Sequence, residues 1–202
     1  VTADVLFLQM WKKWFSTEQV ESMEKSLPSP YSNLYIDRDN FLYTSSAGAG
    51  AGKALKHLNM LGVNILQPAE KKFGHGVFGD LEVSYDNGEE VVSAFVDVCV
   101  TESGLLCGAD ATRGRLFLYD ADCNLVAIWG GSGQRRGTFK ALAAVERQGD
   151  SFLALDSEKA SLTVFEPTAY MRRVLDALTF YSAGKYIESV ERWQEILREN
   201  SH

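Results

Sequence analysis

One stretch of this chain is written twice. From Val96 it reads VDVCVTESGLLCGADATRGRLFLYD and from Leu142 it reads LAAVERQGDSFLALDSEKASLTVFE, so that Asp110 falls on Asp156 at an offset of 46 residues kept without a gap. Arg113 falls on Lys159, Leu116 on Leu162, Leu118 on Val164 and Tyr119 on Phe165. Two apolar runs hold their places on either side of a polar turn. Self-similarity at roughly 40 to 50 residues, with several short strands per copy, is the pattern of propeller blades and comparable repeat arrays. The runs FVDVCV, LFLY and FLAL are apolar on both faces, which predicts sheets covered on both sides.

A third, looser copy begins at Asn33 with NLYIDRDNFLYT, crosses a glycine-alanine tract from Ala47 to Gly52 and continues as KALKHLNMLGVNIL, its turn Asp39-Asn40 aligning with Ser103-Gly104. The expectation is a mainly β fold, a partial propeller of about three blades over 31–67, 94–130 and 140–169. Gln67 to Ser93 reads as a surface insertion carrying FGHGVFGD and the hairpin signal Asp86-Asn87-Gly88. Upstream, Trp11, Trp14 and Phe15 share a helical face and Ser16 with Gln19 has capping-box spacing, so 1–30 reads as a helical segment that ends at the prolines Pro28 and Pro30.

From Tyr170 the apolar period changes to 3.6. Val174, Ala177, Leu178 and Tyr181 form one stripe, and Tyr186, Ser189, Val190, Trp193 and Leu197 another, with Ser182 to Lys185 as the turn. A helical hairpin over 170–202 follows, and its apolar faces need cover, so Trp193 is expected to be buried against Tyr181 and the last blade. Glu188, Glu191, Glu195 and Glu199 make a solvated face with Arg192 and Arg198 as helical partners.

Charge and cysteine usage remove several function classes. A net charge of −7 and 46% apolar content describe a folded acidic chain without the basic face that nucleic acid requires, and no apolar run is long enough for a membrane helix. Any targeting signal is expected upstream of Val1. Cys99, Cys107 and Cys123 lack metal-ligand spacing and read as free buried thiols, Cys99 and Cys107 being candidate cross-strand neighbours. His57 and His75 stand apart from any nucleophile and read as solvated histidines, so no catalytic residue, metal or cofactor is expected.

Two groups of residues stand out as sites. Asp110 with Arg113, and Asp156 with Lys159, read as turn-closing pairs of the repeat. Trp129 and the loop Gln134, Arg135 and Arg136 lie in WGGSGQRRG, which is neither a Walker sequence nor GxGxxG. That loop is the candidate recognition surface.

The strand, Asp, basic turn and LFLYDADCNLVAIW pattern resembles NHL-repeat β-propellers, and the GTFK segment is similar to that family's inter-blade Gly-x-Phe. The C-terminal ALTFYSAGKYIESVERWQEIL is similar to a tetratricopeptide repeat through Ala177, Phe180, Gly184, Tyr186, Trp193 and Leu197, departing from it at Arg173 and Asp176. The combination resembles bacterial proteins of the Firmicutes that are exported or membrane-anchored. What the resemblance implies is a non-enzymatic scaffold that binds protein, peptide or carbohydrate through propeller loops and helical repeat, with missing blades or a dimer completing the ring. The alternative it carries is a gluconolactonase-like metal-dependent hydrolase.

Overall fold

The computed structural model describes residues 31–46, 54–66, 79, 83–86 and 88–199. The helical segment expected over 1–30, the glycine-alanine tract and most of the 67–93 insertion, His75 included, lie outside the described residues.

The described chain is mostly β. β1 (Asn33–Ile36), β2 (Leu42–Ser45) and β3 (Leu55–Leu58) form one antiparallel meander, and β4 (Val83–Asp86) and β5 (Glu89–Val92) a hairpin. β6 (Phe95–Val100), β7 (Leu106–Asp110), β8 (Arg115–Tyr119) and β9 (Leu125–Gly130) form a four-stranded meander. β10 (Leu142–Gln148), β11 (Ser151–Asp156) and β12 (Ser161–Phe165) form a third. Two helices close the chain, α1 (Ala169–Ser182) and α2 (Tyr186–Glu199).

Turn chemistry places the strands. Asn40 and Gly104 take the left-handed φ of +63° and +82° that their tight turns require, a conformation open to Gly and Asn at little cost. At the β4–β5 hairpin expected from its sequence signal, Asp86 pairs with Glu89 and Gly88 takes a φ of +85°. Cys99 and Cys107 face each other across β6 and β7 as free thiols, and burial followed by the Cys99 neighbour holds the Cys107 thiol well above its usual value.

Both faces of the four-stranded sheet are covered, which is why its strands lack polar alternation. Phe95, Val98, Phe117 and Tyr119 pack towards Tyr43 and Leu55 of the first meander. Cys99, Cys107, Leu116 and Leu118 pack towards Val145, Phe152 and Ala154 of the third. Fully burying each such side chain is worth about 1.5–3 kcal/mol, so this central sheet carries most of the fold's cohesion.

The meanders also share polar seams. Asp97 of β6 accepts from the Asn33 side chain of β1, and its other oxygen accepts the Val145 N–H of β10 at 2.7 Å. The Val100 carbonyl accepts from the Tyr35 hydroxyl at 3.2 Å and from Arg147 Nε at 3.0 Å. Glu102 pairs with both Arg38 and Arg147.

The propeller expectation is corrected by this topology. The sheets are separate, open antiparallel meanders, and none curls or closes into a ring. A repeated strand-turn-strand pattern specifies the order within one meander and leaves undetermined how successive meanders meet. Even the gapless match slips in the first strands, since Phe95 and Leu142, 47 apart, oppose Asp110 and Asp156, 46 apart, with a bulge at each place. The blade assignments over 31–67, 94–130 and 140–169, and the NHL resemblance built on them, fall with the ring.

The tetratricopeptide reading is corrected as well. α1 and α2 form a single pair, its seam filled by Val174, Ala177 and Ile196 with Trp193 half-buried against them and Val126 of β9 packed on the same cluster, and the described residues show no stacked helical array. Arg173 and Asp176 mark the difference, because positions that a stacked array would bury carry charge here, and Arg173 pairs with Glu199 instead. Trp193 therefore seals the pair, while Tyr181 is half exposed and meets Tyr186 edge-on at 5.5 Å. The membrane-anchored localisation is corrected too: no helix among the described residues is long and apolar enough to cross a membrane.

Candidate functional site

The residues singled out in the sequence divide into three places. Asp110 and Asp156 each end the second strand of a meander. Asp110 Oδ1 accepts the N–H groups of Ala94 and Thr112, both at 3.0 Å, with Arg113 and Arg115 each 3.8 Å from Oδ2. Arg113 reaches on to the β4–β5 hairpin, donating to Ser93 Oγ at 3.0 Å and to the Val91 carbonyl at 3.2 Å. Asp156 accepts from Lys140 N at 2.7 Å, Ala141 N at 3.3 Å, Glu158 N at 3.1 Å and Lys159 N at 2.9 Å. Burial would raise the Asp156 pKa, but these four amides outweigh it and hold the carboxyl below its ordinary value.

Gln134, Arg135 and Arg136 are exposed at the tip of the loop that follows β9. The loop is held from below. Gly133 N–H donates to the Phe139 carbonyl at 2.9 Å, Thr138 Oγ1 donates to the Arg135 carbonyl at 2.8 Å, and Lys159 Nζ donates to the Thr138 carbonyl at 2.8 Å. Lys159 thereby joins the Asp156 turn to the loop. Between this loop and β12 runs a cleft of about 430 Å³, lined by Arg135, Arg136 and Lys159 on one side and Leu162, Thr163 and Val164 on the other.

β12 is the edge of its sheet, hydrogen-bonded to β11 alone among the named strands. Leu162 and Val164 are 60% and 51% exposed, and SLTVF contains no charge, proline or bulge of the kind that usually protects an edge. Apolar side chains at alternate positions of an unprotected edge form a surface that another strand can continue. The sequence concealed this feature, because Leu162 and Val164 align with Leu116 and Leu118, which are buried under neighbours on both sides.

Trp129 stands away from the loop tip. It lines a separate apolar pocket of about 250 Å³ with Phe152, Phe165, Pro167, Met171 and Leu175. Its ring centroid is 5.3 Å from Phe152 and 6.2 Å from Phe165. The Trp129 Nε1 atom is sealed from solvent with no acceptor in reach.

His57 departs from its solvated reading. It sits in β3, half-buried, stacked on Tyr43 at 4.1 Å, and burial lowers its pKa. Asp97, which the sequence reading passed over, is the polar centre between the meanders, and burial raises its pKa against the lowering effect of the Val145 and Val98 amides. A lone acid inside the apolar run FVDVCV was the available signal. Among the described residues no three His, Cys, Asp or Glu side chains group as metal ligands.

No family model and no curated protein sequence matches the chain. Among solved structures it is similar to virginiamycin B lyase from Staphylococcus aureus. A catalytically inactive form with quinupristin matches at 11% identity and TM-score 0.37, covering 70% of this chain and 43% of the lyase. The selenomethionine form matches at 13% identity and TM-score 0.37, covering 71% and 44%. The computationally designed Ika4 protein matches at 11% identity and TM-score 0.34, covering 70% of this chain and 93% of its own. The chain thus spans less than half of the lyase, and likenesses of this size carry no argument about fold or function.

Proposed function

We propose that this chain is a non-enzymatic interaction module that takes an extended acidic peptide as an added strand along β12. The observation that carries the reading is the juxtaposition of an unprotected apolar edge with two arginines, Arg135 and Arg136, that have no ion-pair partner among the described residues. An edge strand offers backbone N–H and C=O groups to an incoming segment, and the adjoining side chains select its sequence. The charge around the cleft selects acidic residues, in a chain whose net charge of −7 would otherwise repel them.

The test is fluorescence anisotropy with a labelled peptide alternating Glu and Val. Charge reversal at both arginines, Arg135→Glu with Arg136→Glu, should weaken binding by about tenfold or more, the scale of a lost complementary pair. N-methylation of alternate peptide residues should abolish binding, because it removes the strand's donors. Binding indifferent to both changes would sink the proposal, and so would a stable dimer whose β12 edge is already paired with a second copy.

A further inference from the structure

A different observation, independent of the β12 cleft, concerns the pocket beneath Trp129. The β11–β12 register sets Phe152 opposite Phe165, so both aromatic residues stand at one end of the sheet. Asp150 immediately precedes β11 and Glu166 immediately follows β12, which brings two carboxylates to that same end. Trp129 arrives from β9 and meets both rings, giving a continuous aromatic wall. Pro167, Met171 and Leu175, at the start of α1 and along it, close the opposite side. All of this lines one pocket.

The chemistry of the lining is one-sided. It contains three aromatic rings, two acidic side chains and no lysine, arginine or histidine. Asp150 and Glu166 are exposed, and neither has an ion-pair partner among the described residues. Aromatic faces attract a cation that has already shed much of its water, which substituted ammonium groups do far more readily than primary amines. Carboxylates at the mouth add a long-range attraction of the same sign. A volume of about 250 Å³ lies just below the usual range for drug-sized ligands, roughly 300–1,000 Å³, and suits a small head group.

We infer that the pocket formed by Trp129, Phe152 and Phe165, with Asp150 and Glu166 at its mouth, binds a small organic cation bearing a substituted ammonium group. The rings would supply the apolar and cation–π contact, and the two carboxylates would balance the ligand's charge without needing to strip it of a proton.

Choline and its uncharged carbon isostere 3,3-dimethylbutan-1-ol are the probes, compared by isothermal titration on the full chain. Choline should bind saturably at one site, about tenfold or more tighter than the isostere, within the span that cation–π contacts produce. Asp150→Asn with Glu166→Gln should narrow that preference to the part the rings supply, while leaving the thermal midpoint in place, both side chains being exposed. Trp129→Leu should abolish binding, and the indole N–H resonance of Trp129 should shift on titration of the unaltered chain. Equal affinity for choline and the isostere, absence of saturable choline binding, or self-association through this pocket that choline does not compete away would each overturn the inference.

Discussion

Asp110 and Asp156 perform one task in two sheets: each carboxylate gathers backbone N–H groups from the segment that enters its meander and from the turn that leaves its second strand. The carboxylate of Asp110 is fully buried and lies between Arg113 and Arg115. Replacing it removes the counter-charge from beside both guanidinium groups and the acceptor of two amides together. Asp110→Ala should therefore cost about 3 kcal/mol, the range for breaking a buried ion pair from one side, read as a lowered midpoint in urea unfolding. Arg113→Ala should cost less, because Arg115 remains.

The pH dependence of stability should combine two carboxyls of opposite sign. Asp156 is held below the ordinary carboxyl value of 3.8, so its contribution is present above that value and is lost as pH falls through its lowered pKa. Asp97 is raised above 3.8, chiefly by burial, with Glu146 adding to the shift and the Val145, Val98 and Asn33 donors opposing it. Its contribution is therefore complete below 3.8 and is lost as pH rises through the raised value. Thermal midpoints measured from pH 3 to 7 for the wild-type chain and Asp97→Asn should show the wild-type advantage shrinking as pH rises. An advantage that grew with pH would contradict the assignment.

Gly108 offers a test of core packing. A Cβ there would stand 2.8 Å from Phe95 Cε1 and 3.2 Å from Leu55 Cδ1, and Phe95 is completely buried. With nowhere for that ring to retreat, Gly108→Ala should destabilise the chain by about 1–3 kcal/mol, the overpacking range. Gly62→Ala, in open space but at a φ of +73°, should cost less, and the two midpoints compared in one denaturant series separate crowding from backbone strain.

In the helix pair, Ile196 is 4% exposed and Trp193 only half-buried. Ile196→Ala should cost about 2–5 kcal/mol and exceed Trp193→Ala, contrary to the greater bulk of the indole. Equilibrium unfolding followed by circular dichroism would rank them.

Much of the local structure was legible from sequence because it is written in local chemistry. The Asp-basic turn, the left-handed Asn40 and Gly104, the Asp86-Asn87-Gly88 hairpin and the shift of apolar period at Tyr170 each act over a few residues. What eluded the sequence was arrangement. Residues 97 and 145 are 48 apart, and the angle at which their strands meet depends on packing that no period records. The aligned pairs Leu116 with Leu162 and Leu118 with Val164 show the same limit from another side: the first member of each is buried and the second exposed, since only the central sheet has neighbours on both faces. Within the candidate sites, the arginine loop was visible, whereas the edge strand beside it and the acidic mouth of the Trp129 pocket were not. Trp129 and Arg135, six residues apart, line different cavities because the glycine-rich loop after β9 turns between them.

The Val100 carbonyl, with Tyr35 on one side and Arg147 on the other, gives the three meanders a common hinge pin. An oxygen that serves two outside donors can be exposed only when both let go. Withdrawing either flanking meander would leave a donor or a lone pair to find water in a confined place, so each sheet inherits part of its neighbours' persistence. Amide exchange along β6 should therefore report on the whole assembly, and a fragment cut to a single repeat would lose the very partners that make its strands endure.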